Sequence, residues 1–157
     1  METEGSPMVT GISEITGKTT RVRHARESDM VYIEDRINKY HLDANDLQYS
    51  QFVVAVEEDN IVGFGRLRKI GEIYSIGCIA VIEEKRGSGV GSLIVNHLIE
   101  MSPVKVVYVL TDITDYFRKM GFAELQEGSK ELYDELDRAC GVPGTRETKL
   151  MVYEKRA

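Results

Sequence analysis

Cysteine is scarce in this chain of 157 residues: Cys78 and Cys140 are its two cysteines, far apart and in no paired spacing. That excludes a disulfide framework and a cysteine-rich metal knuckle. Histidine is nearly as sparse. His24, His41 and His97 are scattered, with no His-x-x-x-His or Cys-x-x-Cys spacing, so no metal site is expected. No run approaches the roughly 18 apolar residues that cross a bilayer. The opening Met1-Glu2-Thr3-Glu4-Gly5-Ser6 lacks the basic start and apolar stretch of a secretory signal. A cytoplasmic location without a membrane partner is therefore expected. An excess of positive charge is also lacking: 26 Asp and Glu face 20 Lys and Arg, a formal net charge of -6. Nucleic-acid binding rests on many Lys and Arg contacts, so nucleic acid is disfavoured as a partner, while a local basic cluster could still hold a small anion.

What is present is ordinary for a globular protein: 42% hydrophobic and 29% charged residues, in a length that suits one domain with a sizeable core. Residues 1–18 are polar and without periodicity, and read as a flexible N-terminal extension to a single domain over 19–157. Within that domain Thr20, Val22 and His24 alternate with Arg21 and Arg23 as a short strand. Ser28-Asp29 offers an N-cap to a helix running to about Lys39, followed by an irregular connector or short helix over 41–50. Phe52 to Val56, the turn Glu58-Asp59-Asn60, and Ile61 to Leu67 form a hairpin by pattern. Residues 72–81, nearly all apolar, suggest a strand buried on both faces. Val90, Leu93, Ile94, Leu98 and Met101 make one stripe of a helix that Pro103 stops. A strand over 104–110 should pair in parallel with the one before the helix. A short helix closed by a left-handed Gly121, a brief strand at 122–125, a helix over 130–140 and a strand over 148–154 complete a mixed α/β sheet with a parallel pair at its centre.

The most informative segment is Arg86-Gly87-Ser88-Gly89-Val90-Gly91-Ser92, where a buried strand hands over to an amphipathic helix. The first helical turn leaves N–H groups without partners and carries partial positive charge, and glycines remove the side chains that would hold an anion off. Lys85 and Arg86 add positive charge nearby. A mononucleotide loop would need Gly-Lys-Ser/Thr, and Gly91-Ser92-Leu93 lacks the Lys; a dinucleotide Gly-x-Gly-x-x-Gly fits from neither Gly87 nor Gly89. Taken alone, the loop also admits the plainer reading of a tight strand-to-helix turn.

The spacing Arg86-x-x-Gly89-x-Gly91 resembles the GCN5-related N-acetyltransferase (GNAT) superfamily, and the resemblance extends over roughly residues 19 to 154 in the right order of elements. It implies a mostly antiparallel mixed sheet with a central splayed parallel pair flanked by helices. It implies acetyl-CoA as co-substrate, with the residues Arg86 to Ser92 giving backbone N–H groups to its pyrophosphate. The backbone of Ile79, Ala80 and Val81 would pair with its pantetheine arm. Tyr116-Phe117-Arg118-Lys119-Met120-Gly121-Phe122 resembles the family's aromatic-x-x-x-Gly-Phe segment beside the cofactor. Gly77 to Val81, Tyr116 to Arg118 and Thr148 to Met151 are further similar to the acetyltransferase domain of N-acetylglutamate synthases, which implies an amino-acid acceptor. Many relatives dimerise through C-terminal strands, and Leu150-Met151-Val152-Tyr153 is the matching stretch for a homodimer.

The implied reaction is attack of a small-molecule primary amine on a thioester, with backbone N–H near Ile79 to Val81 stabilising the oxyanion. Two family positions are altered. Ser75 stands where many members carry a catalytic Glu, leaving Glu72 as the nearest strand carboxylate for a base; a bulge would change its facing. Phe117 stands where many carry the Tyr that protonates the leaving thiolate; Tyr116, one residue earlier, is the candidate acid, ahead of Tyr108 and Tyr74. Cys78, His24 and His97 read as packing or surface residues. Arg66 and Arg68 close a strand at the acceptor rim, and either bind a substrate carboxylate or form a solvated basic end. A non-catalytic acyl-CoA sensor and a protein or peptide amine as acceptor remain the alternatives.

Overall fold

The computed structural model describes residues 10–15, 18–125, 130–140 and 148–156. Part of the expected flexible extension is corrected: Thr10–Ile15 is a strand, β1, antiparallel to β2, Lys18–His24. A register irregularity between Thr10 and Ser13 breaks the alternation by which such a strand would be recognised. Residues 1–9 of that extension lie outside the described residues.

Asp29 does not cap the first helix with its side chain. It accepts the Arg26 N–H at 2.7 Å and an Arg23 N–H at 2.8 Å. That pins the single 3-10 turn Glu27–Asp29 from which α1, Met30–Lys39, departs. An irregular connector follows and ends in a 3-10 turn at Tyr49–Gln51. The hairpin of β3, Phe52–Glu57, and β4, Asn60–Ile70, turns through Glu58 and Asp59, both at positive φ (50° and 67°). Paired left-handed residues match the twist of two antiparallel strands. Then come β5 (Ile73–Val81), α2 (Val90–Met101), β6 (Val106–Thr111), α3 (Thr114–Lys119), β7 (Ala123–Glu124), α4 (Lys130–Cys140) and β8 (Lys149–Glu154). Gly121 closes α3 at φ 104°, and the Phe122 N–H returns to the Phe117 carbonyl at 3.0 Å.

The strands form one sheet in the order β1-β2-β3-β4-β5-β6-β8-β7, with β5 and β6 parallel and every other neighbouring pair antiparallel. Both faces are covered, and this is why β3 is a continuous apolar run. Val53 and Ala55 pack in the cluster of Val90, Ile94 and Leu98 on α2. Phe52 and Val54 pack in the cluster of Met30, Ile33 and Ile37 on α1. The close seating of α2 requires Gly65, where a Cβ would lie 2.6 Å from the Ile94 Cγ2. A third cluster, with Ile70, Leu136 and Leu150, seats α4 at the far end of β4.

Two departures from regularity shape the middle of the sheet. Phe64 pairs with Ala80 but Arg66 pairs with Gly77, so Gly65 faces two residues, Cys78 and Ile79. This is a bulge, with Cys78 at φ 50°. The faces swap across it: Ile76 packs toward α2, and beyond the bulge Ile79 and Val81 do so, while Cys78 and Ala80 join the α1 cluster. Secondly, β5 and β6 are in register only at Tyr74–Val107, Ser75–Tyr108 and Ile76–Val109, after which they diverge. From Gly77 to Val81 the β5 strand is therefore mostly half-exposed, not buried on both faces as its apolar run suggests. The stretch matched to a dimer surface is not a free edge. β8 lies between β6 and β7, and Leu150 and Met151 are buried. Among the described residues no helix is long and apolar enough to cross a membrane.

Candidate active site

The fork between β5 and β6 opens into a cavity of about 1080 Å³. At one end lie the last residue of β5, the glycine loop and the first turn of α2. At the other lie the connector, Arg68, Leu136, Asp137 and Thr148.

The glycine end is built for an anion. A 3-10 turn, Glu83–Lys85, leads out of β5, and the loop enters α2 through Gly87 at φ 79° and Gly89 at φ 100°. A Cβ on either glycine would meet no atom within 4 Å, so the glycines serve the backbone turn and leave the space above it open. Gly89 is the N-cap, and the first helical bond runs from the Leu93 N–H to the Gly89 carbonyl at 3.1 Å. The N–H groups of Val90, Gly91 and Ser92 thus have no intrahelical acceptor, and they sit at the positive end of a 12-residue helix. Arg86 is exposed; its Nε donates to the Val81 carbonyl at 3.0 Å and its guanidinium lies 5.9 Å from the centre of the Tyr40 ring. Lys85 is oriented otherwise than the sequence suggests. Its Nζ lies 2.8 Å from Oε1 of the buried Glu57.

Tyr116 and Phe117 divide their tasks. Both border the cavity, but Phe117 is 3% exposed and packs edge-on against Phe122, whereas Tyr116 brings a hydroxyl to it, 3.0 Å from the Ser92 Oγ. A Cβ on Gly91 would approach that hydroxyl to 3.2 Å, so helix and tyrosine are closely fitted.

Three candidates are placed differently from expectation. Glu72 is exposed in the turn that Gly71 makes at φ 60°, at the opposite end of β5 from the glycine loop, and does not line the cavity. Ser75, 5% exposed, does. Arg66 borders the cavity but is 1% exposed, with four of its five N–H donors engaged by the protein: Nε donates to the Gln51 Oε1 at 2.8 Å, Nη1 to the Asp43 carboxylate at 3.2 Å, and Nη2 to the carbonyls of Asn45 and Asp46 at 2.7 and 3.0 Å. Arg68 holds the same Asp43 carboxylate at 2.9 Å, the Asp46 carboxylate at 3.2 Å and the Ala139 carbonyl at 2.8 Å. These two side chains tie the connector to the sheet and to α4. His24 and His97 do pack, edge to face at 5.5 Å. Neither the role of Asp43 nor the Lys85–Glu57 pair was legible in the sequence, because both join residues more than 20 positions apart with no shared periodicity.

The arrangement combines a backbone anion cradle, an unpaired strand edge beside it and a phenolic hydroxyl at the junction. An acyl donor carrying a pyrophosphate and an extended amide arm matches that set. Residues 48–124 match the family described as Acetyltransferase (GNAT) domain. The chain is 31% identical over 139 residues to an amino-acid acetyltransferase of Mycobacterium tuberculosis, covering 77% of this chain and 79% of that one. N-acetylglutamate synthase from Neisseria gonorrhoeae, solved with coenzyme A and N-acetyl-glutamate, superposes with a TM-score of 0.70 at 17% identity. That overlap covers 88% of this chain and 35% of the synthase, so the chain spans about a third of it. A Mycobacterium tuberculosis protein in complex with CoA superposes with a TM-score of 0.67 at 24% identity, covering 86% of this chain and 99% of that one.

Proposed function

Because the chain belongs to the GNAT acetyltransferase family, and is with it an acyltransferase using acetyl-CoA, we propose that its acceptor is the primary amine of an amino acid or a molecule of that size. The observation that carries this reading is the single cavity joining the glycine cradle to a polar far end beneath the connector. Among the described residues that end is walled by the connector on one side and by Leu136, Asp137 and Thr148 on the other. The relative described as an amino-acid acetyltransferase supports the same class.

Each residue of the site then has a task. Backbone N–H groups over residues 87–92 receive the pyrophosphate, with Arg86 adding charge at the rim. The edge of β5 over Ile79, Ala80 and Val81, left without a strand partner by the fork, binds the amide arm. When bound, acetyl-CoA supplies an activated acyl group that an amine can attack directly. A backbone N–H beside the bulge stabilises the charge that develops on the carbonyl oxygen, a contribution of about 10²–10³ in rate. Tyr116, oriented by Ser92, protonates the departing thiolate. Glu72 has no place in this scheme. Ser75 borders the cavity where a water would relay the amine's proton to bulk solvent.

The test is thiol release from acetyl-CoA across amino acids, other small amines and short peptides, with wild type and Gly89→Glu. Turnover on one amino acid or a close group of them, abolished by the substitution, is expected. Turnover on peptides alone would refute the small acceptor. CoA binding without turnover on any acceptor would instead make the chain a non-catalytic acyl-CoA sensor.

A further inference from the structure

Beneath the glycine loop lies a buried ion pair that the reaction scheme does not use. Glu57, the last residue of β3, is 4% exposed although it adjoins a solvent-exposed hairpin turn. Its Oε1 lies 2.8 Å from the Lys85 Nζ, and its Oε2 accepts the hydroxyl of fully buried Thr20 on β2 at 3.1 Å. The Lys85 side chain is 15% exposed and borders the cavity, with its Nζ turned to Glu57. Its carbonyl accepts both the Ser88 N–H, at 3.3 Å, and the Ser88 hydroxyl. Lys85 therefore joins the loop to the sheet through its side chain and braces the loop at Ser88 through its carbonyl. Taking a charge pair largely out of water carries a desolvation cost, and replacing such a pair with apolar side chains is often neutral or stabilising. Stability alone is thus a weak account of the pair, and its position beside the cradle supplies a stronger one.

We propose that the Glu57–Lys85 pair is a positioning device for acetyl-CoA, fixing the loop so that its N–H groups converge before the ligand arrives. Lys85 acts through the loop backbone and not as a phosphate ligand. The inference rests on the reading of residues 87–92 as the pyrophosphate cradle. A lysine directed at the phosphates would weaken binding when removed and would bind at least as well when Glu57 is neutralised. A lysine that positions the loop loses its effect whichever partner is removed.

The experiment is a titration of CoA into wild type, Glu57→Gln, Lys85→Met, the double variant and Lys85→Arg, at several ionic strengths, with melting temperatures recorded alongside. Both single variants should weaken CoA roughly tenfold, the loss expected when a preorganised site must be ordered on binding. The double variant should be no weaker than either single one. Lys85→Arg, which keeps the cation, should stay within about twofold of wild type. The double variant, which removes both charges and leaves the local net charge unchanged, should keep the wild-type dependence of affinity on salt, since no ligand contact has been lost. Wild-type affinity in Glu57→Gln with weakened Lys85→Met, or multiplicative losses in the double variant, would overturn the proposal. If Glu57→Gln does not fold, the double variant, in which neither charge is left unpaired, decides by its salt dependence: unchanged supports positioning, and reduced overturns it. Absence of CoA binding by wild type would refute the reading of the cradle itself, a result distinct from all of these.

Discussion

The fit between Gly91 and Tyr116 allows a substitution whose effects on stability and on turnover should separate. Gly91→Ala places a methyl group 3.2 Å from the Tyr116 hydroxyl, closer than an ordinary contact. Gly91 has no positive φ and sits in the first turn of α2, where Ala is preferred to Gly by about 0.5–1 kcal/mol. Against that stands the hydrogen bond between Ser92 and Tyr116, worth about 0.5–1.5 kcal/mol, part of which is lost as the hydroxyl gives way by a few tenths of an ångström. The two nearly cancel. The net change should be within about 1 kcal/mol, or some 2–4 °C in melting temperature for a chain of this size. Turnover has no such compensation, because the displaced hydroxyl is the group assigned to the leaving thiolate. Tyr116→Phe should lower kcat by about 10²-fold or more, the usual share of a positioned acid. Gly91→Ala should show a substantial part of that loss, and in a Tyr116→Phe background it should lower kcat no further. Calorimetry and steady-state thiol release on the four proteins test this. Independent, multiplicative losses in kcat would refute the coupling, and a melting point lowered by 10 °C would refute the cancellation.

Arg66→Met should be expensive in the fold, not the acceptor affinity. It leaves the Asp43 carboxylate and the carbonyls of Asn45 and Asp46 short of a donor in a buried place. A loss of about 3–5 kcal/mol in denaturant unfolding is expected; an unchanged midpoint with a raised acceptor KM would restore Arg66 as a substrate ligand. Asp29 offers a pH test. Burial pushes its carboxyl upward, but the Arg23 guanidinium and the Arg26 N–H outweigh this and hold it below its ordinary 3.8. A depressed value means stability that is present above about pH 4 and lost as pH falls through the folded-state value. The stability gap between wild type and Asp29→Asn should therefore be full at pH 6 and shrink on acidification below about pH 4. A gap that widens there would reverse the sign of this linkage.

What was legible in the sequence was what neighbours along the chain decide. Val53 and Ala55 against Phe52 and Val54, the Ile94–Leu98 stripe and the left-handed Gly121 all follow from local period and local sterics. The glycine loop's turn into α2 belongs with them, since Gly87 and Gly89 take the left-handed backbone that glycine permits. The illegible parts are long-range or aperiodic. Cys78 carries no mark of a bulge, yet it decides which face Ile79 and Val81 present. Glu72 is on a strand by composition and in a turn by virtue of Gly71. Arg66 looks like a surface cation on a strand end until Asp43, Asn45, Asp46 and Gln51, all upstream, close over it.

That closure bears on how such a protein can change its acceptor. The connector between α1 and β3 has little regular structure, and it would ordinarily be the segment freest to vary. Here its shape is dictated from β4, by two guanidiniums that organise Asp43, Asp46 and the carbonyls between them. A connector grafted from a relative without matching residues at 66 and 68 would arrive with no template to fold on. Strand and connector form one inheritable cassette, and exchanging the far wall of the cavity means exchanging both.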